Sequence, residues 1–190
     1  YIWFSSSFAL NDPEEKYEEG TSSGSPIDVI YPKELKSKGI FITEGKFKAI
    51  KIAERYNSIC LSVQGISTWK SISEVIKNLE KKVQENIPGW SIKRIYSAFD
   101  SDICKNYNVY NQQKNMTDNL KKELNIDIDY LYWDINCGKG IDDVINAKKE
   151  NHIKNIKKEI FDEAYKKLVN KILEITKIEN LSKMSSEEFE

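Results

Sequence analysis

Ile40-Phe41-Ile42-Thr43-Glu44-Gly45 and, further along, Ile95-Tyr96-Ser97-Ala98-Phe99-Asp100-Ser101-Asp102 decide how this chain folds. Each opens as a short apolar run of the kind that forms a buried strand, and each closes on acids and small turn residues. A strand that stops on a carboxylate sets that carboxylate at the carboxyl end of its sheet.

Outward from these runs, apolar and polar residues alternate between strand and helix periods. Residues 46–56 carry Phe47, Ile50, Ile52 and Ala53, a helical face. Residues 58–63 read as a second strand, closed by Gln64-Gly65. Residues 71–85 place Ile72, Val75, Ile76, Leu79 and Val83 at helical spacing, and Pro88-Gly89 ends that helix. A third strand covers 92–99, a third helix 109–124, a fourth strand 126–133 and a fourth helix begins at 141–147. The acid–apolar alternation opening the fourth strand suits an edge position. This order predicts an α/β fold, a parallel sheet with right-handed crossovers, whose ligands gather at the strand carboxyl ends.

The expected organisation has three parts. An N-terminal extension over residues 1–38, irregular apart from a short aromatic strand at 1–8, packs on the core. The α/β domain covers 39–150, and 151–190 form a long C-terminal helix with a polar tail. Gly20-Thr21-Ser22-Ser23-Gly24-Ser25-Pro26 reads as a turn rather than a phosphate cradle, because no helix start with a Lys-Ser/Thr pair follows it. The opening Tyr1-Ile2-Trp3-Phe4 reads as part of a longer protein with flanking domains.

Composition narrows the function classes. No apolar run approaches the roughly 20 residues that cross a bilayer, so no membrane partner and a cytoplasmic location are expected. Lys and Arg number 29 against 30 acids, a net charge of −1. A grip on nucleic acid then has to come from local patches, metal ions or neighbouring domains. Cys60, Cys104 and Cys137 show no paired spacing and His152 is the lone histidine, so no zinc site is expected.

The acids are the informative group. Glu44, the pair Asp100 and Asp102, and Asp142-Asp143 beyond Gly138-Lys139-Gly140 all fall at strand ends, on one edge of a parallel sheet. Mg²⁺ takes hard oxygen ligands and binds through one or two carboxylates plus water and substrate phosphate. Two aspartates one residue apart can face one ion, and crowded carboxylates need a cation or proton to neutralise them. Glu44 can share the metal or act as a general acid/base. Singly, each feature has a plainer reading: Asp-x-Asp occurs in turns and caps, and Asp142 can cap the helix beside it.

The same residues carry a resemblance. Thr43-Glu44-Gly45 followed by Lys48-Ala49, and Ala98-Phe99-Asp100-Ser101-Asp102, resemble the first and the Asp-x-Asp motifs of the TOPRIM fold. That fold is shared by bacterial primases, type IA and II topoisomerases, OLD-type nucleases and recombination-mediator proteins. With residues 20–26, Gly65 and Trp69, and Lys139 to Asp143, the chain is similar to a TOPRIM-like family of plasmid, phage and integrative-element replication proteins.

The resemblance implies a four-stranded parallel sheet between helices. It implies Mg²⁺, replaceable by Mn²⁺, held by Asp100 and Asp102 with Glu44 and Gly45 nearby. Lys48 matches a lysine of type IA topoisomerases that approaches phosphate, which makes it a catalytic candidate beside Glu44. Many other TOPRIM proteins, bacterial primases included, carry an aspartate there, and a solvated lysine on the first helix is an equal reading. Lys139 and Asp142, with Asp143, match a late motif that helps hold metal or nucleotide in primases. The resemblance implies as partners nucleic acid, DNA foremost, nucleotide triphosphates and flanking domains such as a helicase. As activity it implies Mg²⁺-dependent nucleotidyl or phosphodiester transfer of the primase type. An OLD-type nuclease and a non-catalytic binding module with a relic acidic site remain open alternatives. Trp69 and Trp90 read as packed anchors rather than base-stacking platforms.

Overall fold

The computed structural model describes residues 27–65 and 68–187. These form two compact units, one ending at Ile156 and one beginning at Lys157.

The first unit is built on strand β2, Gly39–Glu44, whose residues are buried as far as Thr43. It needs a continuous apolar run because helices cover both of its faces. On one side it pairs in parallel with β3, Cys60–Val63, matching Phe41 to Cys60 and Glu44 to Val63. On the other it pairs in parallel with β4, Arg94–Ser97, matching Ile42 to Ser97. β5, Asp127–Tyr132, continues the parallel set beyond β4. Helix α1, Lys46–Tyr56, links β2 to β3, and α2, Ile72–Asn86, carries the chain back across β2 to β4. α3, Tyr107–Leu124, links β4 to β5, and α4, Ile141–Asn146, follows β5. From β2 the chain moves outward to β3, then returns to the opposite side of β2. The switch point of the sheet therefore lies between the ends of β2 and β4.

Alternation along the strands sorts the core. Phe41, Cys60 and Ala98 face α1 and α4, meeting Ala49, Ile52, Ala53, Trp133, Ile141 and Val144 in one buried cluster. On the other face Gln113 of α3 donates to Ser97 Oγ at 2.8 Å, and Thr117 and Tyr130 share a hydrogen bond of 2.8 Å. α2 is tied to α3 by Ser73 Oγ donating to Asn119 at 2.9 Å. Each fully buried aliphatic side chain, such as Ile40, Ile42 and Ile95, contributes roughly 1.5–3 kcal/mol.

The parallel core has the four strands expected, but the sheet has six, in the order β1-β3-β2-β4-β5-β6. β1, Asp28–Ile30, lies antiparallel on the outer edge of β3, inside a stretch expected to be irregular. Its three residues are too few to show a period. β6, Lys154–Lys157, lies beyond β5 in a stretch expected to be helical. The acid-rich fourth strand is consequently internal rather than an edge. Its buried Asp129 is matched by Arg94 of β4, whose Nη1 donates at 2.6 Å. The acids there report a cross-strand ion pair rather than solvent. The aromatic strand at 1–8 and the loop at 20–26 lie outside the described residues.

The second unit is one long helix, α5, Lys158–Glu187, as the periodicity expects. No helix among the described residues is long and apolar enough to cross a membrane.

Candidate functional site

Three loops meet at the switch point, and their backbones are tied together before any side-chain chemistry begins. Thr43, the last buried residue of β2, donates its hydroxyl to Ala98 O at 2.7 Å, while Ala98 N–H donates to Ile42 O at 2.8 Å. The ends of β2 and β4 are thus pinned side by side. Gly45 turns the chain from β2 into α1 with φ 89°, a region glycine enters without penalty, and its N–H donates to Val63 O at 3.1 Å. That turn leaves Glu44 half-buried at the strand end, and it brings Lys48 of α1 into an ion pair with Asp100.

Beyond β4, Asp100-Ser101-Asp102 leads into a 3-10 turn, Ile103–Lys105. Ser101 stitches this turn to the loop after β5: its N–H donates to Lys139 O at 3.0 Å and its hydroxyl lies 3.2 Å from Gly138 O and Lys139 O. Buried Trp133 fixes that loop from below, donating Nε1–H to Gly138 O at 2.8 Å. Lys139 Nζ sits 3.2 Å from Asp102. Asp102 beside it, then Asp100 and Glu44, hold the Lys139 ammonium above its ordinary value.

Glu44, Asp100, Asp102, Lys105, Asn106 and Lys139 line one cavity of about 300 Å³, floored by Phe99, Ile103 and Val109. A second cavity of about 350 Å³, near the start of β2 and the end of α1, is walled by Phe41, Tyr56 and Tyr96 and contains no such group of acids.

Glu44, Asp100, Asp102 and Lys139 are therefore brought together, and Lys48 joins them through Asp100. The pair after Gly140 divides. Asp143, not Asp142, caps α4, accepting from Gly140 N–H at 3.1 Å. Asp142 Oδ1 is buried with no hydrogen-bond partner among the described residues. Trp69 is half-buried and donates to Gln112 Oε1 at 3.4 Å. Trp90 is buried and donates to Ser37 O at 3.4 Å, so both indoles are packed anchors. Lys105 and Asn106 were not foreseen. Asn106 N-caps α3, its Oδ1 accepting from Asn108 N–H at 3.0 Å and Val109 N–H at 3.3 Å. An asparagine ahead of a helical face was a readable signal for that cap.

The donor set suits a hard divalent cation, being carboxylate oxygens that open on a polar cavity. In the arrangement described, each aspartate of the pair instead carries a lysine ammonium. No three His, Cys, Asp or Glu side chains among the described residues converge as a metal-holding group. Asp100 and Asp102 are the groups that would hold Mg²⁺, with Glu44 in the lining of the same cavity.

The family model described as Domain of unknown function (DUF3854) matches residues 33–152, more than half of the chain, and the chain belongs to that family. No curated protein and no solved structure matches it. The matched span contains β2 to β5, α1 to α4 and all three loops of the site.

Proposed function

We propose that this member of the DUF3854 family is a TOPRIM-like module that binds Mg²⁺ at Asp100 and Asp102, with Glu44. In a primase-type replication protein it supports nucleotidyl transfer onto nucleic acid. The observation that carries the reading is that Glu44 at the end of β2 and Asp100 and Asp102 in the loop after β4 line one cavity at the switch point. Bound Mg²⁺ supplies charge stabilisation for a transferring phosphoryl group. Glu44, half-buried in the lining of the same cavity, would take the proton of an attacking hydroxyl. Lys105 and Lys139 give the cavity a cationic rim for the phosphates of a nucleotide triphosphate. An OLD-type nuclease would use the same acids on a scissile phosphate.

One observation favours a second reading, a nucleic-acid or partner-binding module that retains the acids as a relic. Lys48 and Lys139 already neutralise the aspartate pair, so the cluster is charge-balanced without an ion. Calorimetric titration with Mn²⁺ separates the two. Catalytic use requires uptake by the wild type that Asp100→Asn/Asp102→Asn abolishes, followed by metal-dependent primer synthesis or strand cleavage. A wild type that takes up no Mn²⁺, even with nucleotide and DNA present, leaves only the binding module.

A further inference from the structure

Lys48 stands between two carboxylates. Its ammonium group is ion-paired with Asp100, the aspartate assigned above to the metal. A Cβ added at Gly140 would lie 2.9 Å from Lys48 Cε and would collide with Asp142 Oδ1. The lysine stem and the Asp142 oxygen thus face one another across the bare backbone of a single glycine. That oxygen is buried and has no hydrogen-bond partner among the described residues. A buried carboxylate oxygen without a donor is costly, so it marks a place where a donor can be gained.

A divalent cation at Asp100 competes with the Lys48 ammonium for the same carboxylate and repels it. We propose that Lys48 has two positions, paired with Asp100 when that carboxylate is free of metal and with Asp142 when a divalent cation occupies it. The second position rests on the metal reading of the site; the vacancy at Asp142 does not. Asp142 is then a positioning residue that receives Lys48, rather than a metal ligand. Gly140 keeps the space between them open, which any side chain would fill. Only an ion pair is exchanged, and no covalent bond changes.

Two sets of measurements on the full chain test this. In the first, Mn²⁺ is titrated calorimetrically into the wild type, Lys48→Met, Asp142→Asn and the double variant. Lys48→Met is expected to bind Mn²⁺ about fivefold more tightly and Asp142→Asn about fivefold more weakly, the scale of a partly exposed ion pair. Asp142→Asn is expected to have no effect once Lys48 is Met. Equal weakening in both backgrounds makes Asp142 a ligand and overturns the proposal, as does an unchanged affinity for Asp142→Asn alone.

The second set is metal-free: urea unfolding in chelator of Asp100→Asn, Asp142→Asn and both together. Each single change leaves Lys48 one charged partner, so the pair is expected to lower the midpoint by more than the two single shifts added. Additive shifts overturn the proposal. Non-additive shifts with no Mn²⁺ uptake by the wild type support Asp142 as a second partner of Lys48 but overturn the exchange driven by metal, and the metal reading of the site falls with it.

Discussion

Gly45 holds φ 89° with no atom near the position a side chain would take, so the backbone angle, not space, demands glycine there. Gly45→Ala is expected to cost about 1–2 kcal/mol and to misdirect Glu44; urea denaturation at the wild-type midpoint would count against this. Asp143→Ala, which removes the α4 cap, is expected to cost about 1 kcal/mol in the same assay. Among single residues, Glu44, Asp100 and Asp102 were legible because they sit where an apolar run ends, which sequence shows directly, whereas Lys139 was singled out only through the resemblance. The division of labour between Asp142 and Asp143 was not legible. Neighbouring aspartates differ only in which backbone N–H each meets, and that depends on how the Gly138-Lys139-Gly140 loop bends. Nor did sequence pair Lys48 with Asp100, since that contact depends on β2 and β4 being neighbours.

Helices and strands were legible where their apolar residues form a face or a buried run. α1 and α5 follow from their apolar spacing, and the four parallel strands from their runs of buried residues. β1 has only three residues, too few to display a period, while β6 is as long as β3 and β4 but reads Lys-Asn-Ile-Lys, with a single apolar residue and no buried run. The acids of β5 misled because a buried carboxylate with an arginine partner looks, in sequence, like a solvated one. Removing that partner exposes the difference: Arg94→Met strands Asp129, 4% exposed, and is expected to cost about 3–5 kcal/mol in urea denaturation. A loss under 1 kcal/mol would show the pair to be dispensable.

The end of α1 is tied to the segment after α4 by Arg55 Nε donating to Glu150 at 2.6 Å. Arg55 holds the Glu150 carboxyl below its ordinary value of 4.5. The stabilisation it lends is therefore present above that value and is lost as pH falls through the lower, folded one. The stability difference between wild type and Glu150→Gln is expected at neutral pH and should shrink below about pH 4.5. A difference that persists unchanged at acid pH would assign the effect to packing.

Over the whole molecule, a chain of net charge −1 concentrates carboxylates and lysines of opposite sign at one switch point of its parallel sheet. The site is a property of topology: β3 and β4 flank β2 on opposite sides, and the crevice opens where the strand order reverses. The most direct measurement is anomalous scattering from crystals soaked in Mn²⁺. The account predicts a peak coordinated by Asp100 and Asp102 beside Glu44, absent from Asp100→Asn/Asp102→Asn. No peak there, or one equally strong in the variant, would contradict it.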